Sequence, residues 1–371
     1  MWSLTMSDIS SPVIKLLGVG GGGVNTINHA IQKNIHGVEK YCLNTDAQSL
    51  ASVTGLDDAN KIVLGHELTR GAGAGADHKV GRDAAIESEQ KIREILEGAD
   101  MVFIASGMGG GTGTGASPEV ARIAKELGIL TVAVVTKPFP FEGDRRGEVA
   151  NEGIELMKDY VDSIIIIPNE RLLTTFDRSM SLLDAFSQVD SVLSTAVAGI
   201  TEIILNNGMQ NIDFADIKTV MQNRGAAIMG MGRATGEDRA LQSIIEATTS
   251  PLLSEIKLNE AKGIIVSIAA DTEISLSEYE IIGQEVEKYT SADAVSKIGV
   301  RIDPDLDGEM IVTVVATGLQ DDAMEIINMN IGARGLKTKK NNETSVQKEQ
   351  TAKPKERPAV AVPSFLQKPS K

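Results

Sequence analysis

The sequence predicts an α/β fold with a doubly wound first domain, a long central helix, a second and smaller α/β domain, and a disordered C-terminal tail. Short β-branched runs alternate with amphipathic stretches from residue 13 to 168, and apolar residues recur at helical spacing from 182 to 204. After residue 337 the chain is polar, contains proline and shows no periodicity. The alternation is typical of a parallel sheet covered by helices on both faces, whereas a polar segment without periodicity buries too little surface to fold alone.

Six strands are predicted in the first domain. Between them, residues 78–96 and 117–127 repeat apolar side chains every three or four positions, which predicts helices. The strands are predicted at residues 13–18, 38–43, 61–64, 101–105, 129–136 and 163–167.

One long helix is predicted over residues 182–204, where an apolar stripe continues for roughly six turns. Ser181 and Asp184 resemble a capping box at its start, and Asn206-Asn207-Gly208 is a stop signal at its end. An apolar stripe of this length implies a helix buried between two domains.

The second domain is predicted from a further set of elements. Helices are expected at residues 237–249 and 275–288, and strands at 263–269, 294–302 and 310–317. The turn Asp303-Pro304-Asp305 joins the last two strands, which predicts that they are antiparallel neighbours.

Composition and charge exclude several classes of protein. The formal net charge of −15 argues against nucleic acid as the main partner, because binding to a phosphate backbone requires a basic face. No apolar run approaches the roughly 20 residues of a membrane-spanning helix, and residues 1–12 lack the basic start and apolar stretch of a secretory signal. We therefore expect a cytoplasmic protein.

The cysteine and histidine content predicts neither a disulfide nor a protein-ligated metal. Cys42 is the single cysteine and lies in an apolar segment, so we expect a small buried side chain in a reducing compartment. The four histidines, His29, His36, His66 and His78, show no metal-ligand spacing.

The tail differs in charge from the rest of the chain. Residues 336–371 hold nine Lys or Arg against three Glu, whereas the remainder holds 27 basic and 48 acidic residues. The tail ends in an apolar cluster around Pro363, Phe365 and Leu366. Short motifs of this kind often fold onto the surface of a partner.

A first glycine run follows the first predicted strand and opens a helix. Residues 18–23 read GVGGGG, so backbone amides without obstructing side chains could face a phosphate at the positive end of the helix. The run also satisfies G-x-G-x-x-G, and Asp46 follows at a distance suited to a ribose partner. A dinucleotide-binding domain therefore remains a rival at this point.

A second glycine run favours a nucleoside triphosphate. Residues 107–115 read GMGGGTGTG and again stand between a strand and a helix. Two such loops at strand ends would converge on one ligand, and three phosphates can use both, whereas a dinucleotide needs one. The non-functional alternative is a glycine-rich turn that holds no ligand.

The chain contains no G-x-x-x-x-G-K-[ST] motif. Phosphates would therefore be held by amides, hydroxyls and a bound cation instead of a loop lysine. A third glycine-rich stretch, residues 71–76, precedes the helix predicted from His78. It could close over the terminal phosphate, or it could be a mobile surface loop.

These motifs resemble the FtsZ family of the tubulin superfamily. Residues 109–115 are similar to the tubulin signature loop, and residues 18–25 to the first phosphate loop of that family. Further similar motifs follow in the same order at 44–48 (NTDAQ), 135–143 (VTKPFPFEG) and 211–216 (NIDFAD). The resemblance covers roughly residues 12–320 and about the last ten, and implies a bacterial cell-division GTPase that binds GTP or GDP with Mg²⁺ and forms filaments.

The resemblance also implies the nucleotide contacts. Glu142 and Arg146 are placed near the ribose, although Glu142, Arg145 and Arg146 read from the sequence alone as loop residues that could be surface charge. Asn169, Phe186 and Asp190 are implied to select and stack guanine, although Phe186 alone reads as core and Asp190 as a solvated helix carboxylate. The implied phosphate contacts are Gly20, Gly21, Gly22, Gly23, Val24, Asn25, Gly107, Gly110, Gly111, Thr112 and Gly113.

Asn211, Asp213 and Asp216 form a polar cluster at the start of a short helix. From the sequence alone, Asp213 reads as its N-cap, with Asp216 in the first turn. The resemblance implies that all three residues are catalytic and enter the nucleotide site of the next subunit in a head-to-tail polymer.

The resemblance implies partners and a division of the chain as well. The C-terminal peptide is implied to dock on membrane tethers such as the actin-like FtsA, with no nucleic acid bound and no insertion into the membrane. The expected segments are a flexible N-terminus (1–12), a GTP-binding domain (13–181), a central helix (182–208), a C-terminal activating domain (209–320), a flexible linker (321–361) and a partner-binding peptide (362–371).

Two other functions remain open at this stage. A nicotinamide-dependent oxidoreductase would explain the first glycine run and Asp46, but it leaves the second run and the 211–216 cluster unexplained. A nucleotide-binding scaffold of the same fold would polymerise without hydrolysis.

Overall fold

The computed structural model describes residues 12–173, 179–205, 213–222, 225–250, 261–291 and 294–319. Ten strands and twelve α-helices lie in these segments. The strands are β1 Ile14–Val19, β2 Val38–Asn44, β3 Lys61–Val63, β4 Met101–Gly107, β5 Leu130–Lys137, β6 Ser163–Pro168, β7 Gly225–Thr235, β8 Gly263–Ala270, β9 Val295–Ile302 and β10 Glu309–Thr317. The helices are α1 Gly20–Gln32, α2 Ala47–Ala51, α3 His66–Thr69, α4 His78–Glu87, α5 Glu89–Leu96, α6 Thr112–Glu126, α7 Asp144–Lys158, α8 Asn169–Leu172, α9 Leu182–Leu205, α10 Phe214–Met221, α11 Arg239–Thr249 and α12 Leu276–Glu287.

The strands form one mixed sheet in the order β3-β2-β1-β4-β5-β6-β7-β10-β8-β9. Pairing is parallel from β3 to β7, antiparallel on both sides of β10, and parallel between β8 and β9. The strand order reverses between β1 and β4, as in doubly wound folds. The predicted α/β fold class is therefore confirmed.

Successive side chains of each strand pack into two hydrophobic cores on opposite faces of the sheet. On β5, Ala133 and Val135 belong to the core that includes side chains of α4–α7, α11 and α12. Val132 and Val134 belong to the core that includes side chains of α1, α9 and α10. Because strand side chains alternate between faces, continuously apolar strands are what a sheet covered on both sides requires.

The six strands predicted in the first domain are all present, with ends that differ by one or two residues. The helix predicted over 78–96 is interrupted at Ser88, whose hydroxyl accepts a hydrogen bond from Gly65 N (2.9 Å). Strand β7 and helix α7 were not predicted, because the glycines and short side chains of both segments hide the periodicity. The placement of Arg145 and Arg146 in a loop was wrong, since both lie in the first turn of α7.

The predicted pairing of the last two strands was also wrong. Strand β10 pairs with β7 and β8, and β9 pairs with β8, so β8 separates the two. The connecting turn crosses the end of β8: Asp303 N donates to Ala270 O (2.7 Å), and Gly308 N donates to the Asp271 carboxylate (2.8 Å). The connection from β9 to β10 therefore passes the end of β8 instead of forming a hairpin.

The central helix α9 is confirmed as a long, largely buried helix. At its start, Asp184 N donates to Ser181 Oγ (3.1 Å), which is one of the two hydrogen bonds of the predicted capping box. Buried α9 side chains such as Leu193 and Val197 share a core with β1 and β4 residues and with Ile265 and Val315 from the later strands. Helix α9 therefore packs against strands from both halves of the sheet. The predicted stop signal at 206–208 lies outside the described residues.

Two other sequence expectations can be compared with the structure. Cys42 is buried as predicted, and burial raises the pKa of its thiol to about 12. None of the helices in the described ranges is both long and apolar enough to cross a membrane. The N-terminal residues 1–11, the linker and the C-terminal peptide lie outside the described residues.

Gly232 on β7 makes a testable contribution to the packing of α11. A Cβ at this position would lie 2.0 Å from Ser243 O and 2.6 Å from Ala247 N. We expect Gly232→Ala to lower the free energy of unfolding by about 1–3 kcal/mol, because the helix would have to move. Gly283→Ala on α12 is the matched control, since nothing lies within 4 Å of its added Cβ, and it should raise stability by about 0.5–1 kcal/mol. Urea unfolding of both variants measures the difference, and equal effects would contradict this account.

Candidate nucleotide-binding site

The two long glycine runs meet at the same edge of the sheet. They follow β1 and β4, which are neighbouring parallel strands with Val19 opposite Ser106. A Cβ on Gly20 would lie 2.6 Å from Gly113 N, and one on Gly22 would lie 3.1 Å from Gly107 N. The two runs therefore converge as predicted, and their close approach requires the absence of side chains.

Each run also forms the first turn of a helix. Helix α1 begins at Gly20 and α6 at Thr112, five residues before the start predicted for the latter. Because helix N-termini carry free amides and a partial positive charge, both helices present an anion-binding end to the same space.

A cavity of about 340 Å³ lies in front of these helix ends. Thirteen of the sixteen residues predicted to contact a nucleotide line it. Of the other three, Gly20 and Gly23 pack against neighbouring backbone, and Val24 is buried in the core. The thirteen lining residues are Gly21, Gly22, Asn25, Gly107, Gly110, Gly111, Thr112, Gly113, Glu142, Arg146, Asn169, Phe186 and Asp190.

Four further lining residues were not predicted from the sequence: Met108, Thr136, Pro138 and Val189. Thr136 and Pro138 stand at the end of β5, the strand beside β4. Strand adjacency was therefore the signal that could have indicated them, because ligands bind beyond the carboxyl ends of parallel strands.

The third glycine-rich stretch packs behind the second run without lining the cavity itself. Gly73 N donates to Thr45 O (3.1 Å), and Ala47 N donates to Gly71 O (3.0 Å). The Thr45 and Thr112 hydroxyls lie 2.6 Å apart, which ties this region to the start of α6. Closure of residues 71–76 over a bound phosphate stays a prediction.

Asp46 does not reach into the cavity. Its carboxylate accepts hydrogen bonds from Gln48 N (2.9 Å) and Ser49 N (3.3 Å) as the N-cap of α2. The ribose role assigned to Asp46 in the oxidoreductase hypothesis has no support in this geometry.

Glu142 and Arg146 form a polar side of the cavity. The Glu142 carboxylate accepts from Phe139 N (2.8 Å) and contacts the Arg146 guanidinium (2.5 Å). Arg146 Nε also donates to Gly109 O (3.4 Å), in the second glycine run. The pair therefore links the start of α7 to the second glycine run.

An aromatic cluster and a buried amide form another part of the wall. Phe186 packs edge-on against Phe139, with ring centroids 5.2 Å apart, and remains partly exposed to the cavity. Asn169 is 4% exposed, and its Oδ1 atom has no hydrogen-bond partner. An unpaired buried polar atom in a cavity wall is costly unless a ligand pairs with it.

Asp190 is the acidic group of this wall. Asn25 Nδ2 donates to its carboxylate (3.1 Å), which joins α1 to α9. Burial raises the pKa of Asp190 to about 7, and the Asn25 hydrogen bond partly opposes the shift. Asp190 is therefore not the solvated helix carboxylate that the sequence alone indicated.

Asp213 and Asp216 lie away from the cavity, and Asn211 is outside the described residues. As the sequence predicted, Asp213 is the N-cap of α10, and its carboxylate accepts from Asp216 N (2.7 Å). Asp216 pairs with Lys297 on β9, the edge strand of the sheet, whereas the cavity lies beyond the ends of β1, β4, β5 and β6. Because neighbouring strands are about 4.8 Å apart, the four strand positions between β6 and β9 correspond to roughly 19 Å.

The described residues offer no cluster of side chains that could hold a metal ion without a bound ligand. Within the described segments, no three His, Cys, Asp or Glu side chains are grouped closely enough to hold a metal ion. Any cation at this site would have to take most of its ligands from a bound anion and from water.

Comparison with known proteins agrees with this geometry. Residues 13–177 match the family model described as the Tubulin/FtsZ family, GTPase domain, and residues 225–320 match the FtsZ family, C-terminal domain. The chain is 50% identical over 338 residues to the cell division protein FtsZ of Azotobacter vinelandii, covering 90% of this chain and 85% of the relative. It is 51% identical over 319 residues to FtsZ of Pseudomonas aeruginosa, covering 86% and 80%.

Two solved structures also resemble this chain. An empty FtsZ dimer from M. jannaschii is 40% identical and superposes with a TM-score of 0.80, over 84% of this chain and 90% of that chain. A GTPgS-bound protofilament of CetZ2 from Haloferax volcanii is 18% identical with a TM-score of 0.71, over 90% and 100%. The latter likeness concerns the fold alone.

The Asn25–Asp190 contact gives a direct titration test. Asn25→Leu keeps the side-chain volume but removes the donor that favours the ionised carboxylate, so the pKa of Asp190 should rise further above 7. Carbon-13 NMR of aspartate-labelled protein, without added nucleotide, measures the midpoint in both forms. An Asp190 midpoint near 4 in the unmodified protein would contradict the burial of this carboxylate.

Proposed function

Because the chain belongs to the FtsZ family, whose members are tubulin-like GTPases of cell division, we propose that it polymerises head to tail and hydrolyses GTP between subunits. One subunit holds the nucleotide in the cavity. The next subunit completes the site with the acidic start of α10. Filament turnover then follows from hydrolysis at these interfaces.

Backbone amides are proposed to hold the triphosphate. The lining includes six glycines, and the N-termini of α1 and α6 point toward the cavity. Arg146 is the one cationic side chain among the lining residues, and Glu142 already pairs with it. Charge on the phosphates would therefore be offset mainly by amide dipoles and by Mg²⁺, which neutralises phosphate charge when bound.

Mg²⁺ fits the site only as a nucleotide-bound ion. The clustered carboxylates that a protein-held ion needs are missing from the described residues. Thr112 lines the cavity at the start of α6, and its hydroxyl lies 2.6 Å from that of Thr45. The Thr112 hydroxyl would supply one ligand, with phosphate oxygens and water supplying the others, as Mg²⁺ prefers.

The opposite wall is proposed to recognise guanine. An ionised Asp190 can accept hydrogen bonds from the N1 and N2 protons of guanine, and adenine lacks this pair of donors. Asn169 carries an unpaired amide oxygen, and Phe186 offers an aromatic surface for stacking. Glu142 and Arg146 lie between this wall and the phosphate end, where a ribose would sit.

The position of α10 carries the proposal of a shared site. Asp213 and Asp216 do not line the cavity, and Asp216 pairs with Lys297 on the edge strand β9, so they are out of reach of a nucleotide bound to the same subunit. A cavity and a separate acidic surface on one subunit match a heterologous contact that repeats without closing, which generates filaments.

Hydrolysis in the proposed site depends on positioning and proton acceptance. The carboxylates of Asp213 and Asp216 would orient and polarise the water that attacks the terminal phosphate, while the amides of the glycine runs stabilise the phosphoryl oxygens. Asn211 is assigned a supporting contact to the same water on family resemblance alone. Isolated subunits would bind GTP without hydrolysing it rapidly.

In the cell, these filaments are proposed to form the division ring in the cytoplasm, at the inner face of the membrane at midcell, and to drive formation of the septum. The C-terminal peptide around Pro363, Phe365 and Leu366 would dock on a membrane tether of the FtsA type. This part of the proposal rests on family membership and on the apolar sequence of the peptide.

Assembly-dependent hydrolysis can be tested by varying protein concentration. The GTPase rate per subunit should rise steeply above a threshold concentration, because the site is completed only in the filament. Asp213→Ala and Asp216→Ala should each bind GTP normally but lose about 100-fold or more in rate. Glu287→Ala, on the exposed outer face of α12, is the charge control. A rate per subunit that is independent of concentration would refute the shared site.

Filaments mixed from two inactive variants test directly whether the site is shared between subunits. Gly21→Asp places a negative charge in the cavity, where its Cβ has room, and should block phosphate binding. Neither Gly21→Asp nor Asp213→Ala subunits should hydrolyse GTP alone. Their equimolar mixture should recover at most about one quarter of normal activity, the share of random interfaces that combine both intact halves. Absence of any recovery, with co-assembly confirmed by sedimentation, would contradict catalysis in trans.

Guanine selection by Asp190 predicts a change in base preference. Asp190→Asn replaces one acceptor oxygen by an amide donor, which suits xanthine, whose C2 carbonyl accepts where guanine donates. We expect GTP affinity to fall by about 10-fold or more and the ratio of XTP to GTP affinity to rise. Fluorescence competition with both nucleotides measures the ratio. An unchanged ratio would exclude Asp190 from base recognition.

A further inference from the structure

Lys297 makes an ion pair with one of the two proposed catalytic aspartates. It is the third residue of β9, and its Nζ lies 2.8 Å from Asp216 Oδ1. Both side chains are about one-third exposed, at 36% and 34%. The pair is therefore accessible to a second molecule that docks on this edge of the sheet.

The contact fixes the orientation of the Asp216 carboxylate. Asp213 is held through one oxygen, Oδ1, which accepts from Asp216 N (2.7 Å). Lys297 in the same way contacts one oxygen of Asp216, Oδ1. Among the described residues, each carboxylate is thus oriented through one of its two oxygens.

We propose that Lys297 is a positioning residue for GTP hydrolysis, which orients the Asp216 carboxylate when it enters the neighbouring nucleotide site. This inference rests on the proposed function, in which α10 completes that site. Lys297 itself need not touch the nucleotide.

Electrostatics explain why such a residue matters at the interface. Asp213 and Asp216 lie close together, and docking would bring both beside a triphosphate, whose negative charge repels an unpaired carboxylate. Helix α10 packs against β8 and β9. Strand β8 has no charged residue, β9 contributes Lys297 and Arg301, and Arg301 contacts Asp303 (2.6 Å). Lys297 is therefore the cation of these elements that pairs with Asp216.

The same pair would gain strength on assembly. In the free subunit an exposed ion pair contributes little to stability, since water screens both charges. Contact with the next subunit removes part of that water and strengthens the attraction. The influence of Lys297 should accordingly appear in the filament's hydrolysis rate more than in the stability of the subunit.

Lys297→Met in the full-length chain tests the proposal, because methionine keeps an unbranched side chain but removes the charge. The kcat for GTP hydrolysis per sedimented subunit should fall about three- to tenfold with KM unchanged, because the contact acts on the Asp216 carboxylate and not on substrate binding. Lys297→Arg should restore kcat. GTP binding by the unassembled subunit should not change. Lys218→Met, which removes a charge from the exposed face of α10, is the matched control and should leave kcat unchanged.

A second measurement does not depend on assembly. In the unassembled subunit, Lys297→Met should keep the urea unfolding midpoint of the unmodified protein, because an exposed ion pair contributes little to stability. An unchanged kcat in Lys297→Met would overturn the proposal. A loss of stability in step with the fall in kcat would make Lys297 a structural tie between α10 and β9 and would also overturn it. If Asp216→Ala retained full activity, the proposed function itself would fail, whatever the result for Lys297.

Discussion

Contact between two backbones without side chains is the constraint on which the site depends. Strands β1 and β4 are neighbours, and the segments that leave them must turn into helices α1 and α6 at nearly the same place. A Cβ on Gly20 or on Gly113 would overlap backbone atoms of the other run or of its own turn. Glycine in the first turn of a helix costs conformational entropy. In return, the absence of side chains lets the N-termini of α1 and α6 face the same cavity, where both can bind one anion.

The continuous sheet bears on the proposal that a second subunit completes this space. Its two halves are joined through three residue pairs of β6 and β7, Ser163–Ile165 with Gly225–Ala227, and α9 packs on strands from both sides of that joint. The later strands place β9 at the edge of the sheet, where Lys297 pairs with Asp216 of α10. The acidic start of α10 is therefore held away from the strands that carry the cavity. Separate donor and acceptor surfaces on one subunit are the arrangement that a head-to-tail contact requires.

The sequence predicted the parts of this structure that depend on local patterns. Strands with continuous β-branched runs, the capped helix α9 and both glycine runs follow from periodicity and turn chemistry. Strand β7 did not, because its Gly232 serves the close approach of α11, a contact that no local pattern reports. The pairing of β9 with β10 was mispredicted for a similar reason: the turn after Asp303 specifies a reversal of the chain but not the strand that lies in between. Asn169 lies on α8, whereas Phe186 and Asp190 lie on α9, so family resemblance indicated them where composition and spacing could not.

The charges of the cavity give a reason for the proposed division of the site between two molecules. A triphosphate bound mainly by amides, with one paired arginine in the described lining, would keep much of its negative charge, and carboxylates placed permanently beside it would weaken nucleotide binding by repulsion. Supplying them from a neighbour would separate the two requirements in time: the free subunit would bind GTP without nearby acids, and the assembled interface would then tolerate their repulsion through its other contacts. In the proposed filament, the approach that brings the acids to the attacking water thus also strains the interface that permits hydrolysis.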